Sequence, residues 1–309
     1  MKFITIGSDP EFFVYDPHGK PFPATLFAEG TKDNPSPIGD GYFEQRDNLS
    51  FEGNIPPAHT RQEFIRNMVH IRQYFHNKVA DKGYSLSPNG VEYFSKRYLN
   101  TIEGMEFGCS SVISSWDSMA DDMQSRPTPI LGNCKFRVAG FHVHIGYDID
   151  HLPLDRRHTD ILIGRLFDLF VTIPSQKIKP EPERIETYGK WGMIRSKDYG
   201  VECRTLSSFF TQPEYLGWVW DHVMKIEKFI AHSSLDDLYK VIAKRYILGS
   251  TNEDAMKIFT EIFSTFDNIE ILSYFDETQT IYETIHKSTH TISNTSYKLI
   301  FDQPYTINA

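Results

Sequence analysis

Cysteine is scarce and irregularly placed: Cys109, Cys134 and Cys203 are the only three in 309 residues. An odd count with no CxxC spacing excludes a disulfide framework and a zinc knuckle, and suits a reducing compartment. Long apolar runs are missing as well. None reaches the length needed to span a bilayer, and Asp9 interrupts the N-terminal apolar stretch before a signal-peptide core forms, so the chain reads as a cytoplasmic, unanchored protein with no membrane partner. Basic charge is in deficit. With 32 Lys and Arg against 41 Asp and Glu, the net charge of -9 argues against nucleic acid as the main partner. Neither a GxxxxGK(S/T) loop nor a GxGxxG turn between strand and helix occurs, so P-loop and Rossmann readings have no support.

What remains is an ordinary globular composition, 40% hydrophobic and 24% charged. Up to about Pro57 the chain reads as short strands punctuated by Pro, Gly and Asp. Over 60–82 the period changes: Phe64, Met68, Ile71, Phe75 and Val79 recur at spacings of three and four behind Thr60, a cap with Glu63 three residues on, which predicts an amphipathic helix. The stretch 84–133 reads as loops, with a short helix start at Ser114-Ser115-Trp116-Asp117. A strand over 135–147 follows, then a helix over 156–171 with Ile161, Leu162, Leu166, Leu169 and Phe170 on its buried stripe and Pro174 as its stop. The segment 177–199 shows little periodicity and reads as a surface loop or one that closes over an anion. After a strand over 201–206, helices are expected over 213–231, 234–248 and 252–266. Strand and helix blocks mix as in an α+β fold.

Acidic residues and histidines recur in apolar, glycine-flanked segments. Ile6-Gly7-Ser8-Asp9-Pro10-Glu11-Phe12 carries Asp9 and Glu11, and Asp47-Asn48-Leu49-Ser50-Phe51-Glu52-Gly53-Asn54 carries Glu52. Gly140-Phe141-His142-Val143-His144-Ile145-Gly146 carries His142 and His144, and Tyr199-Gly200-Val201-Glu202-Cys203-Arg204 carries Glu202 and Arg204. Residues two apart on an extended strand share a face. Buried unpaired carboxylates are costly, and a cation is one remedy. Carboxylates with one or two imidazoles suit Mg²⁺ or Mn²⁺ better than structural zinc. Arg204, with Lys190, Arg195 and Lys197 upstream, supplies the fixed positive charge that phosphoryl oxygens need, so the set is the equipment of nucleotide-dependent phosphoryl transfer. Plainer readings stand beside this one: a hydrogen-bonded His pair in a half-buried strand, an Asp-Pro turn at Asp9, a sheet-surface ion pair of Glu202 with Arg204, and solvated basic residues over 188–197. Asp47 or Glu44 could also be the functional acid in place of Glu52.

These four motifs, in this order between residue 9 and about residue 210, resemble the phage-type (type 2) carboxylate-amine ligases of the glutamine synthetase and glutamate-cysteine ligase superfamily. The resemblance implies a glutamine synthetase-like antiparallel sheet, a half-barrel with flanking helices, as a catalytic domain over 1–270, with 271–309 a C-terminal extension. It implies ATP and Mg²⁺ or Mn²⁺, and small-molecule carboxylate and amine substrates joined as an amide through an acyl phosphate. Carried over residue by residue, Asp9, Glu11, Glu52, His142 and Glu202 would hold metal. Glu52, Glu202 and Arg204 would act in catalysis, Arg204 steadying the transferred phosphoryl group, while His144, Arg195, Lys197 and Arg204 would face the nucleotide. Where the best-known enzymes of the superfamily carry two glutamates, this chain has Asp9-Pro10-Glu11. Two alternatives are a metal-dependent phosphoryl transferase of related fold and a cupin-like metal protein using His142, His144 and Asp148. Substrate identity, the general base, the number of metal ions and oligomeric state are not written in these motifs. Glu52→Ala and Glu202→Ala are expected to abolish activity and leave the fold largely intact.

Overall fold

The computed structural model describes residues 1–105, 113–116, 134–152 and 154–243. The segments that alternate in polarity become an eight-stranded antiparallel sheet. Its strands are β1 (Phe3–Phe12), β2 (Ser36–Gly39), β3 (Tyr42–Asp47), β4 (Ser50–Asn54), β5 (Ile113–Ser114), β6 (Phe141–Tyr147), β7 (Met193–Lys197) and β8 (Gly200–Cys203), in the order β2-β3-β4-β1-β6-β8-β7-β5. β3 and β4 join through a two-residue turn in which Asn48 takes φ 52, a conformation Asn tolerates better than branched residues. At the sheet's centre β1 meets β6 with Asp9 opposite His142, and its end meets β4 with Glu11 opposite Glu52.

One face of the sheet is apolar. Phe12, Phe51, Val143, Ile145, Val201 and Ile194 are buried in the core. Against this face lies α1 (Arg61–Ala80), whose Thr60 accepts from the Glu63 backbone N–H while the Glu63 side chain reaches back, closing a capping box. Its expected apolar stripe is buried in full, and Phe75 packs on Phe51 with ring centroids 4.5 Å apart. Burial of each such side chain contributes about 2 kcal/mol. Two further helices, α2 (Arg156–Phe167) and α3 (Pro213–His232), complete the layer, and α4 (Leu235–Ile242) follows a second capping box at Ser234. Among the described residues no helix is long and apolar enough to cross a membrane.

Several sequence expectations shift. Pro174 does not end the helix that begins at Arg156: the chain passes through a π-helical turn, Asp168–Thr172, and continues as Ile173–Ile178. Proline is tolerated there because it falls in the first turn of the new segment, where its missing N–H costs nothing. The strand expected over 135–147 is two strands: Phe136–Val138 pairs with Val91–Tyr93 in a separate ribbon, and after a break at Ala139 and Gly140 the chain enters the large sheet as β6. The strand expected over 201–206 ends at Cys203. The helix start expected at Ser114 is instead the edge strand β5, with Asp117 outside the described residues. The segment 177–199 is not one loop, since it holds a short helix, Pro182–Glu186, and the strand β7. Charge conceals β7 in the sequence. Its inward side is only Ile194 and its pairing with β8 decides its conformation, as context does for strands in general. The helix expected over 252–266, most of 234–248 beyond Ile242 and the extension 271–309 lie outside the described residues.

Candidate functional site

The other face of the same sheet is polar and gathers every residue that the motifs single out. Register alone places them: Gln45 lies opposite Glu52, Glu52 opposite Glu11, Asp9 opposite His142, and His144 opposite Glu202, which in turn faces Arg195. Four separate motifs thus form one continuous row across five strands and a sixth, β3. Pro10 does not make a turn. It sits inside β1, next to the point where that strand takes up β4 as partner.

The centre of the row is a buried nest of carboxylates and imidazoles. Asp9 Oδ1 lies 3.0 Å from His142 Nδ1 and 3.2 Å from His144 Nε2. His142 Nε2 lies 3.6 Å from Glu11 Oε1, and His142 Nδ1 lies 3.9 Å from Glu202 Oε1. These atoms are close but misaligned: Asp9 Oδ1, both His142 nitrogens and His144 Nε2 make no hydrogen bond among the described residues. Buried polar atoms that come this close without bonding call for a further partner, an ion or a water. Two groups have ligand atoms close enough for one ion, Asp9 with Glu52 and His142, and Asp9 with His144 and Glu202.

Electrostatics favours the same occupant. Burial, reinforced by the negative charge of Asp47, pushes the Glu11 carboxyl up to about 7, and burial with Asp47 and Asp9 pushes Glu52 well above the carboxylate range. Burial also holds His142 down at about 3, with Arg204 adding to the effect, so its imidazole is neutral and able to ligate. For Asp9, burial acts upward, but the imidazoles of His144 and His142 outweigh it and hold the carboxyl well below its ordinary range. Hard oxygen donors with neutral imidazole fit Mg²⁺ or Mn²⁺. Within the nest Glu11 is fixed by the Gly140 N–H, which donates to its Oε2 at 2.7 Å, and Glu52 by Gln45 Nε2 at 2.6 Å. Gly140 is required on steric grounds, because a Cβ there would stand 2.5 Å from His142 Nε2.

Beside the nest lies a cluster of cations. Lys197 Nζ is 2.8 Å and Arg195 Nη1 3.2 Å from Glu202 Oε2, and Arg204 Nη1 contacts Glu202 Oε1. Glu202 itself is fully buried. It therefore does more than the metal-ligand reading asks, because both oxygens are already engaged by the chain's own cations. Arg195 and Lys197 are strand neighbours sharing a face, not members of a solvated loop.

Other members of the site were given no role by the motifs, apart from Asp47, which stood as an alternative acid. Tyr188 meets Arg204 through its hydroxyl and sits 6.1 Å, ring to ring, from His142. The Tyr199 hydroxyl is 2.9 Å from His144 Nδ1, which fixes the ring that points its Nε2 at Asp9. Lys32 pairs with Asp47 at 3.1 Å, beyond the Glu52 end. Gln45 and Asp47 were detectable as a spacing-of-two pair entering a hairpin, whereas Tyr188 and Lys32 lie in loops without periodicity. Asp148 stands apart, bound to His151 at 2.7 Å on the exposed surface, which removes the third ligand of a cupin-like arrangement. Glu44 points to the opposite face, where it takes Lys78 at 2.5 Å.

No family model matches the chain, and no curated protein does. A solved structure described as the crystal structure of a novel glutamine synthase homolog is similar over 95% of this chain and 68% of its own, at 10% identity and a TM-score of 0.41.

Proposed function

We propose that this chain is an ATP-dependent carboxylate-amine ligase of the phage-type, glutamine synthetase-like kind, acting in the cytoplasm on a small carboxylic acid and a small amine. One observation carries the reading: a buried nest of unbonded carboxylate and imidazole atoms adjoins, on the same sheet face, three cations converging on Glu202. Asp9, Glu11, Glu52, His142 and Glu202 would hold Mg²⁺ or Mn²⁺, which when bound offsets repulsion between an anionic acid and a triphosphate.

The chain's own groups divide the remaining work. Arg195, Lys197 and Arg204 would supply positive charge for the phosphates, and the rigid fork of Arg204 would suit a phosphoryl oxygen. Because the sheet and Glu202 fix these cations in advance, little reorganisation is needed as charge moves from the γ-phosphate. A carboxylate is a poor acyl donor. Its conversion to an acyl phosphate couples amide formation to ATP cleavage, and amine attack then needs a proton acceptor.

ADP release from ATP with Mg²⁺ or Mn²⁺, measured across pools of carboxylic acids and amines with hydroxylamine as trap, tests this reading. Acid-dependent ADP with a hydroxamate is the expected result. Phosphorylated product accumulating without any amine requirement would favour a phosphoryl transferase, and absence of ATP cleavage in every pool would refute both.

A further inference from the structure

We propose that Arg184 is a positioning residue that sets the spacing between the two halves of the site, Glu11 with His142 on one side and Glu202 with Arg204 on the other. Its side chain is wholly buried, and among the described residues its hydrogen bonds all end on backbone carbonyls. Nη1 donates to Ala139 at 2.8 Å, while Nη2 donates to Leu206 at 2.8 Å and to Arg204 at 3.3 Å. These carbonyls belong to different parts of the chain. Ala139 precedes Gly140, whose N–H holds Glu11 and whose bare Cα makes room for His142. Arg204 and Leu206 belong to the segment leaving β8, which carries the guanidinium paired with Glu202.

One planar fork therefore spans the break before β6 and the exit from β8. A buried cation hydrogen-bonded to carbonyls is expensive even with Glu181 and Glu11 offsetting part of its charge, and apolar packing would serve a plain structural staple as well or better. Arg184 also has a dedicated seat. The Gly189 N–H donates to the Arg184 carbonyl at 2.8 Å, and a Cβ on Gly189 would stand 2.6 Å from Arg184 Cγ and 2.8 Å from Nε. Tyr188, the neighbour of that glycine, is the residue that contacts Arg204. The guanidinium, the glycine and the tyrosine thus form one support behind the metal nest and the cation cluster.

Two variants of the full chain separate support from mere stability. Arg184→Lys keeps the charge but has no fork to bridge the three carbonyls, and Gly189→Ala keeps the arginine but pushes it from its seat. Mn²⁺ affinity of the metal-free protein, followed by the loss of the free-ion EPR signal, is measured beside thermal unfolding and ATP cleavage. Cooperative unfolding with Mn²⁺ affinity lowered about 10- to 100-fold is expected in both variants, the usual cost of disturbing groups that orient ligands. In turnover, kcat should fall by more than KM for ATP rises. Parental Mn²⁺ affinity in either folded variant, or failure of both to fold, would make Arg184 a staple and overturn the proposal, as would a parent protein that binds no Mn²⁺. Only the turnover arm rests on the ligase reading: a parent that binds Mn²⁺ but never cleaves ATP defeats that reading, and the metal titration still judges Arg184.

Discussion

Replacing Glu11 by Gln should stabilise the metal-free protein, by an amount that follows from pH. Glu11 is 3% exposed, and burial together with Asp47 raises its carboxyl from 4.5 to about 7. Below pH 4.5 both folded and unfolded chains carry the proton, and the group has no effect on stability. Between 4.5 and 7 the unfolded chain releases the proton first, so stability falls as pH rises, and above 7 the full penalty applies. A shift of that size corresponds to about 3 kcal/mol. The amide keeps an oxygen for the Gly140 N–H and carries no charge toward Asp47. Urea unfolding in EDTA, read by tryptophan fluorescence at pH 4, 6 and 8, should therefore show Glu11→Gln gaining nothing at pH 4 and about 3 kcal/mol at pH 8. With Mn²⁺ at 100 times its Kd the parent gains about 2.7 kcal/mol that the variant, lacking a ligand charge, gains only in part, so the gap should narrow. A variant less stable than the parent at pH 8 in EDTA would show that the carboxylate is already compensated within the chain, and the metal-nest reasoning would fail.

Glu202→Gln should cost about 3 to 5 kcal/mol of stability, read from chemical denaturation, because Arg195, Lys197 and the 3%-exposed Arg204 lose their shared carboxylate. This differs from the sequence-based expectation that loss of Glu202 would spare the fold, since its cation partners are covalently part of the chain; a melting temperature equal to the parent's would contradict it. His222, held at about 4 by burial and by nearby Lys225, is neutral when folded, so its contribution is complete above pH 6.5 and is lost as pH falls toward 4. His222→Leu should remove about 3 kcal/mol of that acid-side loss, and an unchanged slope of stability between pH 6.5 and 4 would refute the assignment. Thr60→Ala should cost about 1 kcal/mol by opening the capping box of α1, with no change in Mn²⁺ affinity as the control.

The sequence by itself determined the elements whose signals are local. The stripe Phe64, Met68, Ile71, Phe75 and Val79 with its Thr60 cap specifies α1, because cap and periodicity act within a few residues of chain. Spacing of two likewise put Asp9 with Glu11 and His142 with His144 on common strand faces. Which faces meet was not local. Strand order and register, which set Asp9 opposite His142 and Glu202 opposite both His144 and Arg195, arise from antiparallel pairing between segments that range from the two arms of one hairpin to strands more than a hundred residues apart. The same pairing made a strand of Met193–Lys197, whose composition reads as a loop, and so turned Arg195 and Lys197 into fixed charges. Arg184 and Tyr188 lie deepest beyond sequence reading, since their partners are backbone carbonyls and a distant guanidinium, and hydrogen bonds of that kind leave no periodic trace in the residues that make them.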